Sequence, residues 1–195
     1  MRLESILYRF RQFWQAIYAV PSPEDLSLAT TVLNPDQLNL FARLQRSEQA
    51  HSLLVFKKLY ARCQQDPIEF QADLLAAALL HDVGKSCYPL SLWERVLIVL
   101  ANVVFPGRIR GWGGTPKINC EDYSGGSSGW RELGWRRPFV IAEQHPRWGA
   151  EMVEKAGSSQ LTVALICRHQ DAPQLPAKTN EDCLLFWLQS ADGRY

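Results

Sequence analysis

His81 and Asp82 close an unbroken apolar run, Leu74 to Leu80, within the stretch Asp-Leu-Leu-Ala-Ala-Ala-Leu-Leu-His-Asp-Val-Gly-Lys-Ser at residues 73 to 86. The run is rich in Ala and Leu, the strongest helix formers. A helix that is apolar all round is a buried one. Two ionisable side chains at its end need a partner, because an unpaired buried charge is costly. A divalent cation suits them, since neutral imidazole and carboxylate both ligate such ions. Gly84 lets the chain turn after them. Lys85 lies four residues beyond His81, so a continuing helix would put both on one face. Its ammonium would then look toward whatever anion the metal holds.

The chain has four histidines, His51, His81, His145 and His169. With Asp82 and Asp192 they run in the order H … HD … H … H … D. Four segments carry this pattern: Leu-Leu-His-Asp-Val-Gly-Lys at 79–85, His145-Pro-Arg-Trp-Gly149-Ala150, Ala164-Leu-Ile-Cys-Arg-His169, and Leu188-Gln-Ser-Ala-Asp192. On these segments the chain resembles the HD superfamily of metal-dependent phosphohydrolases. The His-x-x-x-Gly-Ala of 145–150 and the apolar run into His169 look like the symmetrical dinucleoside-tetraphosphate hydrolases. The ligand order is similar to that of the HD-GYP cyclic-dinucleotide phosphodiesterases. Gln170 stands where those enzymes have a second histidine, and no Gly-Tyr-Pro motif is present.

The resemblance implies an all-α HD-domain bundle and a set of site residues. His51, His81, Asp82 and Asp192 would hold one metal ion. Asp82 would bridge to a second, held also by His145 and His169. The catalytic residues would be Asp82 and Lys85, the lysine stabilising phosphoryl oxygens. Imidazole-rich sites select transition metals over magnesium, so Fe, Mn, Co, Ni or Zn is expected, as one or two ions. The implied activity is hydrolysis of a phosphoester or phosphoanhydride in a small, nucleotide-like substrate by a metal-activated hydroxide. Arg147 and Arg168 adjoin candidate ligands and could assist or simply be surface charges. The alternative from another class is a catalytically silent, metal-bound module that senses a nucleotide or docks a partner, with a membrane-surface role open to it.

Composition sets wider bounds. A length of 195 residues suits one domain with a proper core. The expected organisation is N-terminal helices over 1–45, a metal-binding core over 46–192, and a flexible insertion over 106–137. A net charge of +1 argues against bulk nucleic-acid binding. The five cysteines, at 63, 87, 120, 167 and 183, are odd in number and lack a CxxC spacing. A reducing cytoplasm is therefore expected rather than a disulfide framework, with Cys167 as a small core residue. No secretory signal and no apolar run long enough to span a bilayer are visible.

The elements that must position the candidate ligands follow from caps and periodicity. Residues 3 to 20 place Leu3, Ile6, Leu7, Phe10, Phe13, Trp14, Ile17 and Tyr18 at helical spacing, which predicts a packed or surface helix. Ser22-Pro23 and Asn34-Pro35 read as helix starts. A helix from about Ser47 carries His51, with Leu53, Leu54, Phe56, Leu59 and Tyr60 as its buried side. Trp93 to Phe105 predicts an apolar helix, either a core element or a face toward lipid or a partner. Residues 106–137 hold eight of the twelve glycines, three tryptophans and a Ser-Gly-Gly-Ser-Ser-Gly run. They read as a long basic loop, mobile or serving as a lid over an anionic substrate. His145 is expected to open the next helix with Pro146 in its first turn. That helix should end at Gly157, and another should run from Ser158 or Ser159 to His169. The last helix, capped near Asn180, buries Leu184, Leu185, Trp187 and Leu188 and delivers Asp192.

Overall fold

A computed structural model describes residues 19–65, 71–105, 109–114, 133–172 and 176–193. Among these the chain is all-helical, with no strand. The helices are α1 (Pro23–Thr30), α2 (Pro35–Ala42), α3 (Arg46–Gln65), α4 (Gln71–Leu80), α5 (Leu92–Val104), α6 (Ile109–Gly113), α7 (Arg137–Lys155), α8 (Gln160–Arg168) and α9 (Asn180–Asp192). A 3-10 turn, Val83–Cys87, follows α4, and another, Gly134–Arg136, precedes α7. Residues 3 to 18 of the helix expected over 3 to 20 lie outside the described residues, as does the stretch from 115 to 132, while residues 19 and 20 are not helical.

Local chemistry accounts for the helix starts. Ser22 Oγ accepts from the Asp25 amide, and Asn34 forms a reciprocal capping box with Gln37. Ser159 and Thr179 cap α8 and α9 in the same way. Each such cap satisfies an amide that the helix leaves unpaired. Gly193 ends α9 at φ 84°, a left-handed conformation that favours glycine.

Helix α4 is the axis of the core, with Leu74 to Leu80 all buried. It packs between α3 on one side and α8 on the other. One continuous apolar cluster joins α1, α2, α3, α4, α7, α8 and α9. On α3 the buried side is Ser52, Leu53, Val55, Phe56 and Leu59, whereas Leu54 and Tyr60 face outward. The expected stripe was thus rotated by part of a turn. Cys167 is exposed rather than a core residue, and Trp187 is only half-buried, with the Arg62 guanidinium 4.7 Å over its ring. Cys63, Cys167 and Cys183 are free.

One alternative left open about the site's elements is decided, and one expectation needs correction. Helix α4 does not continue through Lys85. It stops at Leu80, and the tighter turn that follows sets Lys85 three residues from Asp82, closed by the Lys85 amide on the Asp82 carbonyl at 2.9 Å. Nor does His145 open a helix. Helix α7 begins at Arg137 with Pro138 in its first turn, so His145 lies in its middle and Pro146 is an interior proline. Pro138 occupies the starting position that was assigned to Pro146.

Part of the stretch read as a loop is helical. Trp112 of α6 packs edge-on against Phe139 of α7 and against Trp135, at centroid distances of 5.2 and 5.4 Å. The Arg136 guanidinium donates to the Trp112 carbonyl. Trp112 thereby ties this short helix to the start of α7. Helix α5 is held at its N-terminal end by two ion pairs, Arg95 with Glu48 of α3 at 2.8 Å and Glu94 with Arg137 of α7. Its Trp93, Leu100 and Val104 are exposed. They are spaced so as to share one face. Among the described residues no helix is long and apolar enough to cross a membrane.

Candidate metal centre

Five elements deliver the candidate ligands: His51 from α3, His81 and Asp82 from the end of α4, His145 from α7, His169 from the end of α8, and Asp192 from the last position of α9. They gather into two groups, His51 with His81 and Asp192, and Asp82 with His145 and His169. All six residues read from the sequence are therefore brought together.

In the first group His51 Nε2 lies 2.7 Å and His81 Nε2 3.6 Å from Asp192 Oδ1. In the second, His145 Nε2 lies 3.2 Å from Asp82 Oδ1 and 3.3 Å from His169 Nε2. The groups adjoin through Asp82, whose Oδ2 is 3.6 Å from His81 Nε2. Asp82 thus has one oxygen toward each group, as a bridging carboxylate would.

Three of the rings have their tautomer set by the backbone. His81 Nδ1 contacts the Ala78 carbonyl at 3.0 Å, and His169 Nδ1 the Ile166 carbonyl at 2.7 Å. Both carbonyls lie in the last turn of a helix, where the ladder leaves acceptors unused. His145 Nδ1 contacts the Ile141 and Ala142 carbonyls at 3.1 and 3.0 Å. Pro146 has no amide hydrogen to give Ala142, so this mid-helix carbonyl is open to the ring. A carbonyl only accepts, so Nδ1 carries the hydrogen in each neutral ring and Nε2 presents a bare lone pair to the centre.

The centre is thus rich in acceptors that face one another. His145 Nε2, His169 Nε2 and Asp82 Oδ1 lie within hydrogen-bonding range but have no hydrogen to share, and His81 Nε2 is buried without a hydrogen-bond partner. The Gln170 amide reaches His145 Nε2 alone, at 3.2 Å, and a cation among the remaining acceptors would relieve their mutual repulsion. The donor set of imidazole nitrogen and carboxylate oxygen fits a divalent ion. These buried His and Asp groups can hold a metal ion.

The electrostatics agree. Burial pushes His145 below the ordinary imidazole range with help from the Lys85 charge, and it pushes His169 well below, with His145 and His81 adding to it. Both are neutral, as ligands must be. Burial would raise the Asp82 carboxyl, but Lys85, His81 and His145 outweigh it and hold it well below the usual range. Burial likewise opposes ionisation of Asp192, and His51 and His81 overcome it. His81 goes the other way. Burial lowers it, yet Asp82 and Asp192 together hold its pKa above the ordinary value. The field that favours a proton on His81 is the field that favours a metal cation there.

Lys85 Nζ donates to Asp82 Oδ2 at 2.6 Å. Its charge is kept, because Asp82, Glu48 and Asp192 outweigh the burial that disfavours it. Glu48, buried and paired with Arg95, was missed by the sequence reading, which saw only a helix start. Arg168 is spent on α9, bonded to Glu181 and Asp182, and Arg147 pairs along its own helix with Glu151 at 3.5 Å. The open side is marked by His51 and Lys85, whose side chains are 35% and 26% exposed, while His81, Asp82, His145 and His169 are nearly sealed.

Compared with known proteins, the chain matches no family model, no curated protein and no solved structure. Its site is therefore characterised by its own geometry: two adjoining groups of imidazole and carboxylate donors around a shared aspartate.

Proposed function

We propose that this chain is a metal-dependent phosphohydrolase of the HD type, cleaving a phosphoester or phosphoanhydride in a small, nucleotide-like substrate. The observation that carries the reading is the meeting of bare Nε2 atoms and ionised carboxylates in two groups joined by Asp82. His51, His81 and Asp192 would hold one ion, His145 and His169 would hold another, and Asp82 could serve both. A transition metal among Fe, Mn, Co, Ni and Zn suits these donors. Such ions supply a water of lowered pKa and Lewis acidity toward phosphoryl oxygens.

The protein's own groups do the rest. The nearly sealed side chains of the second group keep bulk water from the deep end of the site, which strengthens charge interactions there. Lys85 keeps a proton supply of three donors, of which one goes to Asp82. The others face the negative charge that builds on a phosphoryl group as it is cleaved. Entry from the His51 side suits a substrate that inserts its phosphate and leaves the remainder outside.

Metal analysis of the purified chain tests the reading, followed by a screen of nucleotides, dinucleoside polyphosphates and cyclic dinucleotides. Turnover that disappears in folded His81→Ala and Asp82→Ala supports it. A chain that loads with metal and cleaves none of these phosphates speaks for the silent metal-bound module, and one that takes up no transition metal overturns both readings. A second reading, docking on a membrane surface, is favoured by the exposed face of Trp93, Leu100 and Val104. Co-sedimentation with liposomes, lost in Trp93→Glu, tests it.

A further inference from the structure

Gln170 directly follows the last histidine of the second group, and its side-chain amide nitrogen lies 3.2 Å from His145 Nε2. Its position is built rather than accidental. The side chain of Gln189, buried in α9, donates to the carbonyls on both sides of it, His169 at 3.2 Å and Asp171 at 3.0 Å. The Asp171 amide closes the turn on the Arg168 carbonyl at 2.8 Å, and Arg168 is itself tied to Glu181 and Asp182. Two helix ends therefore hold the backbone at 170 while its side chain reaches into the centre.

The chemistry of that contact is one-directional. His145 Nδ1 is committed as a donor to carbonyls, so Nε2 accepts and the Gln170 amide donates. Gln170 is a neutral donor set among acceptors. A cation between Asp82, His145 and His169 takes the same lone pair. The amide, half-buried at the edge of the site, is then free to give its hydrogen bond to another acceptor within reach. In a site that takes a phosphorylated molecule, that acceptor is a phosphoryl oxygen.

We infer that Gln170 is a substrate-contacting residue, donating its side-chain amide hydrogen to a non-bridging oxygen of the bound phosphoryl group. This rests on the phosphohydrolase reading above and adds to it a second donor beside Lys85. The amide contributes a directed hydrogen bond without further charge, so it orients the phosphoryl group where the ammonium chiefly attracts it.

Calorimetric titration of inorganic phosphate into the full chain loaded with Mn2+ tests the inference, beside Gln170→Met, of similar length without a donor, and Gln170→Glu, of similar shape with a repelling charge. Mn2+ affinity, measured separately, should be the same in Gln170→Met as in the parent chain. Phosphate affinity should fall about tenfold in Gln170→Met and further in Gln170→Glu. Phosphate bound equally well by Gln170→Met overturns the inference alone. So does a parallel loss of Mn2+ affinity, which would make the amide oxygen a metal ligand. A parent chain that takes up none of Mn2+, Fe2+, Co2+, Ni2+ and Zn2+, or that takes up metal and binds no phosphate, overturns the hydrolase reading and this inference with it.

Discussion

Gly84 lies so close against His145 that a Cβ at position 84 would fall 2.0 Å from the His145 carbonyl oxygen and 2.7 Å from the Gly149 amide nitrogen. Both obstacles are backbone, so neither can swing aside. The turn carrying Asp82 and Lys85 can therefore meet α7 at this depth only with glycine there. Gly84→Ala is expected to force the two elements apart, lowering stability by about 1–3 kcal/mol or more and moving His145 from Asp82. Gly149→Ala should be milder, since its Cβ would be 3.2 Å from the Gly84 nitrogen and 3.3 Å from the Ile166 side chain. Thermal unfolding in EDTA and a metal titration check both. A Gly84→Ala chain as stable and as metal-avid as its parent would refute this account.

Lys85 and Asp82 form a contact of 2.6 Å in which the carboxylate is 5% exposed. Removing one partner of such a pair strands the other. Asp82→Ala is expected to cost roughly 3 kcal/mol in the metal-free chain, beyond any effect on metal binding. Asp82→Ala with Lys85→Met should recover much of that stability and none of the metal affinity. Unfolding by urea, with and without added metal, separates the two effects. Equal stability of the single and double variants would show that the lysine is not stranded.

The sequence showed some of this plainly and some of it not at all. The apolar run of 74–80 and the Ser22 and Asn34 caps announce helices because their chemistry is local. That residues 51 and 192 meet is a tertiary fact which no spacing encodes, and only the resemblance suggested it. Pro146 was placed at a helix start because proline suits that position. Its real setting is mid-helix, where the penalty is offset by the imidazole that takes up the freed carbonyl. Gln170 stood out only as the residue found in place of a second histidine; that its side chain enters the site follows from the Gln189 contacts, which no sequence spacing encodes. The stripe of α5 read first as core, with an outward face as the alternative, and its apolar residues serve both sides, Ala101 buried and Trp93, Leu100 and Val104 exposed.

Acid and base should act on the metal-free chain in opposite senses. His145 and His169 are held neutral when folded, with pKa values below the ordinary one. The unfolded chain takes up protons there below about pH 6.5, so stability is lost as pH falls. Asp82 and Asp192, also depressed, add to the loss below about pH 4. His81 is raised, so its contribution is complete below about pH 6.5 and disappears as pH rises through its folded value. The melting temperature in EDTA should therefore pass through a maximum near neutrality. His81→Gln should abolish the alkaline decline and leave the acid one, and added metal should do the same by replacing the proton. A melting temperature that climbs steadily to about pH 9 in EDTA would contradict the field assigned to Asp82 and Asp192.

Pro146 offers a way to loosen a ligand without touching it. In Pro146→Ala the new amide hydrogen would bond the Ala142 carbonyl and compete with His145 Nδ1, which now lies 3.0 Å from it. The ring would keep the Ile141 carbonyl at 3.1 Å, but that oxygen also serves the helix ladder. Removing an interior proline favours the helix, so stability should hold or rise. Freeing a ligating histidine from its outer partner typically weakens metal binding by about tenfold or more. The expected signature is therefore a split: a melting temperature in EDTA equal to or above that of the parent, and a weaker metal affinity by titration. If both rise together, the Ala142 contact does not orient the ring, and packing around His145 must hold it instead.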